Sequence, residues 1–283
     1  MNEKIAWVTD TSALLDEAFI KKFNIHVIPA SIIIDEISYR ETAELSLTEF
    51  YDKMRTAKTL PKTAQPIYGE LINLYKRLKE EGYTCGIAVH PSSNLSGTYA
   101  SSINAAKEAD FPLFGIDSKI CSYPIMKIFE KGHELASEGA TVEAIAQELR
   151  QMPQHFELYG VPANLTQLHK SGRLPGVAAF LGNLLKIKLV ISFKNGNVVL
   201  NNKVRTIKRA KDYVTSILSE DLQKSSFSEV AIVHCNNELE AKDWKEELQD
   251  RFPSIRFITI PLSAAIAVHT GEGTTGLSWV RNS

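Results

Sequence analysis

The run Cys85-Gly86-Ile87-Ala88-Val89-His90, followed by Pro91-Ser92-Ser93-Asn94-Leu95-Ser96-Gly97-Thr98-Tyr99, decides the fold class. Its first half is a short apolar stretch of strand length. Turn formers follow, and Gly97-Thr98 opens a helical pattern that reaches about Ala109. Strand, loop and helix in that order are the unit of a parallel α/β sheet. Open sheets of this kind take ligands at the carboxyl ends of their strands. Four hydroxyl residues, Ser92, Ser93, Ser96 and Thr98, crowd that end. Free backbone N–H groups and the helix dipole favour an anion there, and Gly97 lets a backbone approach closely. Helix capping accounts for Ser93 or Ser96 singly, but not for all four hydroxyls.

Upstream, residues 5–8 read as a buried strand. Thr9-Asp10-Thr11-Ser12 and a helix to about Lys22 follow. Residues 25–34 are β-branched and read as extended. Residues 47–55 form a short helix with Ser46 as its cap. Thr63-Ala64-Gln65-Pro66 precedes a helix over 67–80, so Thr63 or Gln65 is a second hydroxyl or amide at a helix entrance. Downstream, residues 113–116 are a strand, with helices over 123–138 and 142–152.

The pattern then changes. Residues 156–162 are a strand and 178–185 a short apolar helix. Lys194-Asn195-Gly196-Asn197 turns a hairpin between 188–193 and 198–205. A helix over 208–218, a strand at 230–233, a helix over 239–251 and a final strand at 255–260 complete the chain. The expected fold is two α/β domains with a boundary near Met152-Pro153. The first, 1–153, holds a mostly parallel sheet with flanking helices; the second, 154–283, is mixed α/β.

The chain has 283 residues, 44% hydrophobic, and a net charge of −1. That charge gives no pull toward nucleic acid or anionic lipid. Cys85, Cys121 and Cys235 stand far apart and fit a reducing compartment. The N-terminus runs straight into a strand without a signal-peptide pattern, and no apolar run is long enough for a transmembrane segment. A cytoplasmic location is expected. Gly271-Glu272-Gly273-Thr274-Thr275-Gly276 matches a dinucleotide fingerprint but lacks the helix, next strand and ribose-binding acid that must follow. It reads as a glycine-rich loop lining a pocket. There is no P-loop, and the seven histidines make no metal pattern, so neither cofactor nor metal is expected. His90 either faces a site or simply finishes its strand.

Other segments add polar groups. Asp10-Thr11-Ser12 is a third hydroxyl-bearing loop, although its carboxylate would repel an anion brought too close. Lys170-Ser171-Gly172-Arg173 is a basic turn whose guanidinium suits phosphate or carboxylate. His269-Thr270-Gly271 places an imidazole beside a glycine turn. A serine hydrolase remains open, with Ser96 as nucleophile, His269 as base and Asp10 or Asp117 as orienter, but the GxSxG elbow is missing.

In order and spacing, Thr63-Ala64-Gln65-Pro66, the segment 92–98, Asp117-Ser118, Lys170-Ser171-Gly172-Arg173 and His269-Thr270-Gly271 together resemble the DegV family of bacterial fatty-acid-binding proteins. The resemblance covers nearly the whole chain. It implies a long-chain fatty acid held between or within two α/β domains, with Thr63 and Ser96 on the carboxylate and Ser93 and His269 in the surrounding hydrogen-bond network. It implies that Arg173 is an exposed arginine presenting the headgroup to an ATP-dependent fatty acid kinase, which makes the acyl phosphate. This chain is then the non-catalytic lipid-carrying subunit, and a lipid-responsive sensor is the other non-enzymatic reading. Ala64 stands where many members carry Ser, Asn94 where glycine is usual, Glu272 where proline is frequent, and His90-Pro91 replaces a different dipeptide. Asn94 tolerates left-handed backbone, and Glu272 is expected to face solvent. Candidate wall residues for an acyl tunnel are Ile32, Ile34, Phe180, Leu184, Leu185 and Ile187.

Overall fold

The computed structural model describes residues 4–174 and 187–282. The helix expected over 178–185, with Phe180, Leu184 and Leu185, lies outside them. The chain divides into two compact units, Met1–Gln154 and His155–Ser283.

The first unit contains β1 (Ile5–Asp10), α1 (Glu17–Phe23), β2 (Ile25–Ile28), β3 (Ser31–Ile34), β4 (Ile37–Arg40), α2 (Leu47–Thr56) and β5 (Lys62–Ala64). It continues with α3 (Tyr68–Glu80), β6 (Cys85–His90), α4 (Thr98–Glu108), β7 (Leu113–Asp117), α5 (Tyr123–Ser137) and α6 (Val142–Leu149). Strands β2-β1-β6-β7 form an all-parallel sheet in that order. Every residue of β6 is buried, as a strand covered on both faces requires. Leu71, Leu74, Tyr75 and Leu78 of α3 and Ala105 and Ala106 of α4 pack on Ala6, Val8 and Ala88. On α5, Gly132 lets Trp7 approach so closely that an added Cβ would lie 2.6 Å from the indole.

Two features of this unit depart from the sequence reading. The first helix starts further beyond Thr9-Asp10-Thr11-Ser12 than expected. Thr11–Ala13 form a 3-10 turn ended by Leu14 at φ 42°, and α1 starts only after Asp16, whose carboxylate caps Phe19 N. The extended stretch 25–34 also breaks at Pro29-Ala30, because proline has no N–H to continue a ladder. Its second half becomes β3 of a separate antiparallel sheet, β4-β3-β5. Asp35 and Glu36, at φ 46° and 69°, turn the β3–β4 hairpin, the left-handed pair that a two-residue I′ turn needs.

The second unit contains β8 (Phe156–Val161), α7 (Leu165–Lys170), β9 (Lys188–Lys194), β10 (Asn197–Val204), α8 (Ile207–Leu222) and β11 (Glu229–His234). It ends with α9 (Glu238–Arg251), β12 (Arg256–Pro261), α10 (Ala264–Thr270) and β13 (Thr275–Val280). Its mixed sheet runs β10-β9-β8-β13-β11-β12. Only β11–β12 is parallel among its pairs. The Asn195-Gly196 hairpin forms as expected, at φ 50° and 81°. Val214 and Leu218 of α8 and Trp244 and Leu248 of α9 meet Val230, Ile232 and Trp279 in the core. Residues 255–260 are not the last strand. The tail of the glycine-rich segment enters β13, which lies mid-sheet between β8 and β11. Gly276 is needed there, because a Cβ would sit 2.5 Å from the Tyr159 carbonyl oxygen.

Candidate functional site

In the parallel sheet the strand order reverses between β1 and β6. The crevice at their carboxyl ends is therefore the switch point where α/β sheets hold ligands. Asp10 ends β1 and His90 ends β6, both essentially fully buried. His90 Nδ1 lies 2.8 Å from Asp10 Oδ2, and Ser12 N donates to Asp10 Oδ1 at 2.9 Å. A neutral imidazole that donates through Nδ1 keeps Nε2 as an acceptor. His90 Nε2, Ser12 Oγ and Ser122 Oγ are buried without a hydrogen-bond partner among the described residues. Asp10 thus ties the two strand ends together through His90.

The turn after β6 is internally bonded. Leu95 N and Ser96 N both donate to the Ser92 carbonyl, at 2.9 and 3.1 Å, and Ser92 N donates to Ile120 O at 2.9 Å. Ser93 is exposed. Its N–H and its hydroxyl donate to the two oxygens of Asp117, at 3.2 and 2.5 Å. A serine has one hydroxyl proton, so Ser93 donates it to Asp117 rather than to a ligand. Burial pushes the Asp117 carboxyl up, but hydrogen bonds from Lys119 and Ser93 outweigh it and hold it below its ordinary range. Ser96 Oγ accepts from Thr98 N at 3.3 Å and shares a proton with Thr98 Oγ1 at 2.9 Å. Gly97 is the N-cap of α4 and contributes no side chain to it. Asn94 is not among the residues with left-handed backbone, so its turn does not use the geometry that a glycine would have supplied.

Thr63 is not at a helix start. It is the middle residue of β5, and α3 is capped at Ile67 without a side-chain bond, so neither Thr63 nor Gln65 caps it. In the antiparallel register Thr63 faces Ile32. Thr63, Ile32 and Ile34 therefore share one face of the small sheet, and both isoleucines are buried. Gln65 then reaches the turn after β6, where its Oε1 occupies the place a Cβ on Gly97 would take. The segments carrying Thr63 and Ser96 meet at this contact. Sequence reading gave Gln65 only a capping role, and the single hint of the contact was a glycine where the helix pattern begins.

In the second unit, His269 is near the end of α10 and Arg173 just beyond α7. Burial, and then the positive charge of Arg173, push the His269 imidazole down to about 3. Gly271, at φ 88°, passes against Asn164, where a Cβ would lie 2.6 Å from the Asn164 side chain. Asn164 caps α7 through Gln167 N and donates its own N–H to Thr270 O. Two expectations change here. Arg173 is half-buried rather than exposed, because its guanidinium folds back to donate to Ser171 O at 2.5 Å, at the negative end of α7. Glu272 is also half-buried, held at 2.6 Å by Asn236 Nδ2. Ile187 is half-buried.

Within the first unit, the residues that a hydrolase would use already have partners. Asp10 is bonded to His90, Asp117 to Ser93 and Lys119, and Ser96 Oγ to Thr98. Among the described residues no cluster of His, Cys, Asp or Glu is able to hold a metal ion. No described helix is long and apolar enough to cross a membrane.

Residues 4–282 match the family model described as "Uncharacterised protein, DegV family". The chain is 35% identical over 277 residues to Protein DegV of Bacillus subtilis, covering 97% of this chain and 98% of that one. It is 35% identical over 280 residues to a DegV domain-containing protein of Listeria monocytogenes, covering 99% of each. A solved structure described as DegV, a fatty acid binding protein from Bacillus subtilis, superposes with a TM-score of 0.89 at 34% identity, over 99% of this chain and 100% of that one. A fatty acid binding DegV family protein from Streptococcus agalactiae superposes with a TM-score of 0.90 at 30% identity, over 99% and 100%.

Proposed function

Because the chain belongs to the DegV family, we propose that it binds a long-chain fatty acid, with Thr63 and Ser96 as donors to the carboxylate. The observation that carries this reading is the Gln65–Gly97 contact, which joins the two hydroxyl-bearing segments at the carboxyl edge of a parallel sheet. A buried carboxylate is costly unless several donors satisfy it. Hydroxyls and the first-turn N–H groups of α4 beyond Thr98, whose own N–H goes to Ser96 Oγ, supply such donors. Ile32 and Ile34, on the same face as Thr63, give the hydrocarbon an apolar surface beside the headgroup. Burial contributes roughly 0.8 kcal/mol per CH₂, so a dozen methylenes outweigh an imperfectly satisfied acid. Solved relatives described as fatty acid binding proteins support the ligand class.

The finer assignments rest on the family likeness. Residues 1–153 carry the carboxylate loops and 154–283 complete the lipid pocket. His269 joins the headgroup network as a neutral imidazole, consistent with its depressed pKa. Ser93 supports the network through Asp117. Arg173 presents the headgroup to a separate ATP-dependent kinase that forms the acyl phosphate, and this chain is a cytoplasmic, non-catalytic carrier.

Thr63→Ala and Ser96→Ala are each expected to weaken binding of a fluorescent fatty acid about tenfold, the loss of roughly one charge-assisted hydrogen bond. Wild-type affinity in both variants rejects the carboxylate assignment. Arg173→Ala is expected to keep its lipid while acyl phosphate formation by the reconstituted kinase pair falls. Full turnover would remove the presentation role.

A further inference from the structure

Asp117 ends β7 beside His90, its register partner on β6. One carboxylate there collects bonds from both sides of a chain reversal. Ser93 N and Ser93 Oγ reach it from the turn after β6. Lys119 N donates to Oδ1 at 3.0 Å and Lys119 Nζ to Oδ2 at 2.5 Å from the turn after β7. The backbone bond to Lys119 closes a tight Asx-type turn, which accommodates Lys119 at φ 55°. Two backbone bonds run parallel to these: Ser118 N donates to His90 O at 3.1 Å and Ser92 N to Ile120 O at 2.9 Å. On the far side of β6, Asp10 holds His90. The strand end is thus pinned from β1, and the turn that follows is pinned from β7.

The two pins differ in kind. The Asp10–His90 pair is buried at the root of the turn, where losing one partner strands the other and destabilises the fold. The Asp117 cluster grips the turn itself, three residues ahead of Ser96, and Ser93 is exposed. Ser93 is not among the described core residues. The one hydroxyl proton of Ser93 goes to Asp117, so its part in binding an anion is indirect. Lys119 also offsets the Asp117 charge, which would otherwise repel an anion held nearby.

We propose that Asp117 is a positioning residue: through Ser93 it fixes the 92–98 turn, and with it the Ser96 hydroxyl, in the geometry that receives an anionic headgroup, while Lys119 offsets its charge. The headgroup part rests on the fatty acid reading; the fixing of the turn does not. Asp117→Ala frees both Ser93 donors, and Ser93→Ala removes one of them from the other side. Asp117→Asn retains one acceptor oxygen. Lys119→Met leaves the carboxylate in place but unneutralised.

The test uses the full-length chain in these four single variants and the Ser93→Ala/Asp117→Ala double variant. Amide hydrogen exchange across 92–98, thermal midpoint, and displacement of a fluorescent fatty acid by oleate are measured on each. Asp117→Ala is expected to speed exchange across the turn and weaken oleate about tenfold with a nearly unchanged midpoint. Asp117→Asn should fall between it and wild type. The double variant should lose little more than Asp117→Ala alone, since both substitutions remove one shared contact. Lys119→Met should weaken oleate most at low salt. Wild-type exchange in Asp117→Ala overturns the proposal, as does additive loss in the double variant. An affinity loss that merely tracks a lowered midpoint also overturns it, because that is the mark of a structural residue. If wild type itself takes up no oleate, the fatty acid reading fails, and exchange across 92–98 still decides whether Asp117 fixes the turn.

Discussion

Gly97 matters for the space it leaves. Its backbone, at φ −74°, is one that alanine adopts without strain, so Gly97→Ala should fold with little change in melting temperature. The added methyl would still push Gln65 aside, and fatty acid affinity should fall. Equal affinity in a titration would show that the Gln65 contact is incidental. His269 gives a pH signature. Its folded pKa, about 3, lies below the ordinary value near 6.5, so the folded state prefers the neutral ring. The stability this protects is complete above about pH 6.5 and is lost as pH falls from there toward 3, on the order of a few kcal/mol at most. Melting curves of His269→Asn should decline less than wild type between pH 7 and 4. Parallel declines would mean the ring is better solvated than its surroundings imply. Chemistry of this sort was legible only in part. The hydroxyl-rich turn after β6 is visible in the residues 92–98 themselves, but the Gln65 contact and the Asp117 cluster depend on which loops the fold brings side by side.

At the scale of elements, local signals are legible in the sequence and long-range pairings are not. Ser46 and Glu49 form a reciprocal capping box at the start of α2, with Ser46 Oγ accepting from Glu49 N and Glu49 returning to Ser46 N. Ser46→Ala should cost about 1 kcal/mol in urea unfolding; a neutral result would show that tertiary packing alone holds α2. Both this cap and the Asn195-Gly196 hairpin announce themselves within four residues. The three-stranded sheet has no such announcement. Its β5 is three residues long and pairs with β3 across about thirty positions, so from sequence Thr63 looks like an entrance to the helix that follows. Likewise α7 is only six residues, too short for periodicity to register.

For the whole molecule, a ligand that binds only the folded state stabilises it by mass action. Oleate at about one hundred times its Kd should add roughly 2.7 kcal/mol. Delipidated protein should therefore melt earlier and regain its midpoint on adding oleate. No recovery, with intact secondary structure, would mean that the acyl chain is not bound specifically. The alternation of strands and helices fixed the α/β class from sequence, because hydrophobic period reports burial directly. It gave no access to strand order in the second unit, where residues distant in the chain become neighbours.

That order carries a cost during synthesis. Without residues 275–280, β8 and β11 would each present an unpaired inner edge, since β13 is the strand between them. Such edges are templates for pairing with foreign strands. Loss of this strand by premature termination should therefore yield inclusion bodies in place of a shortened soluble protein.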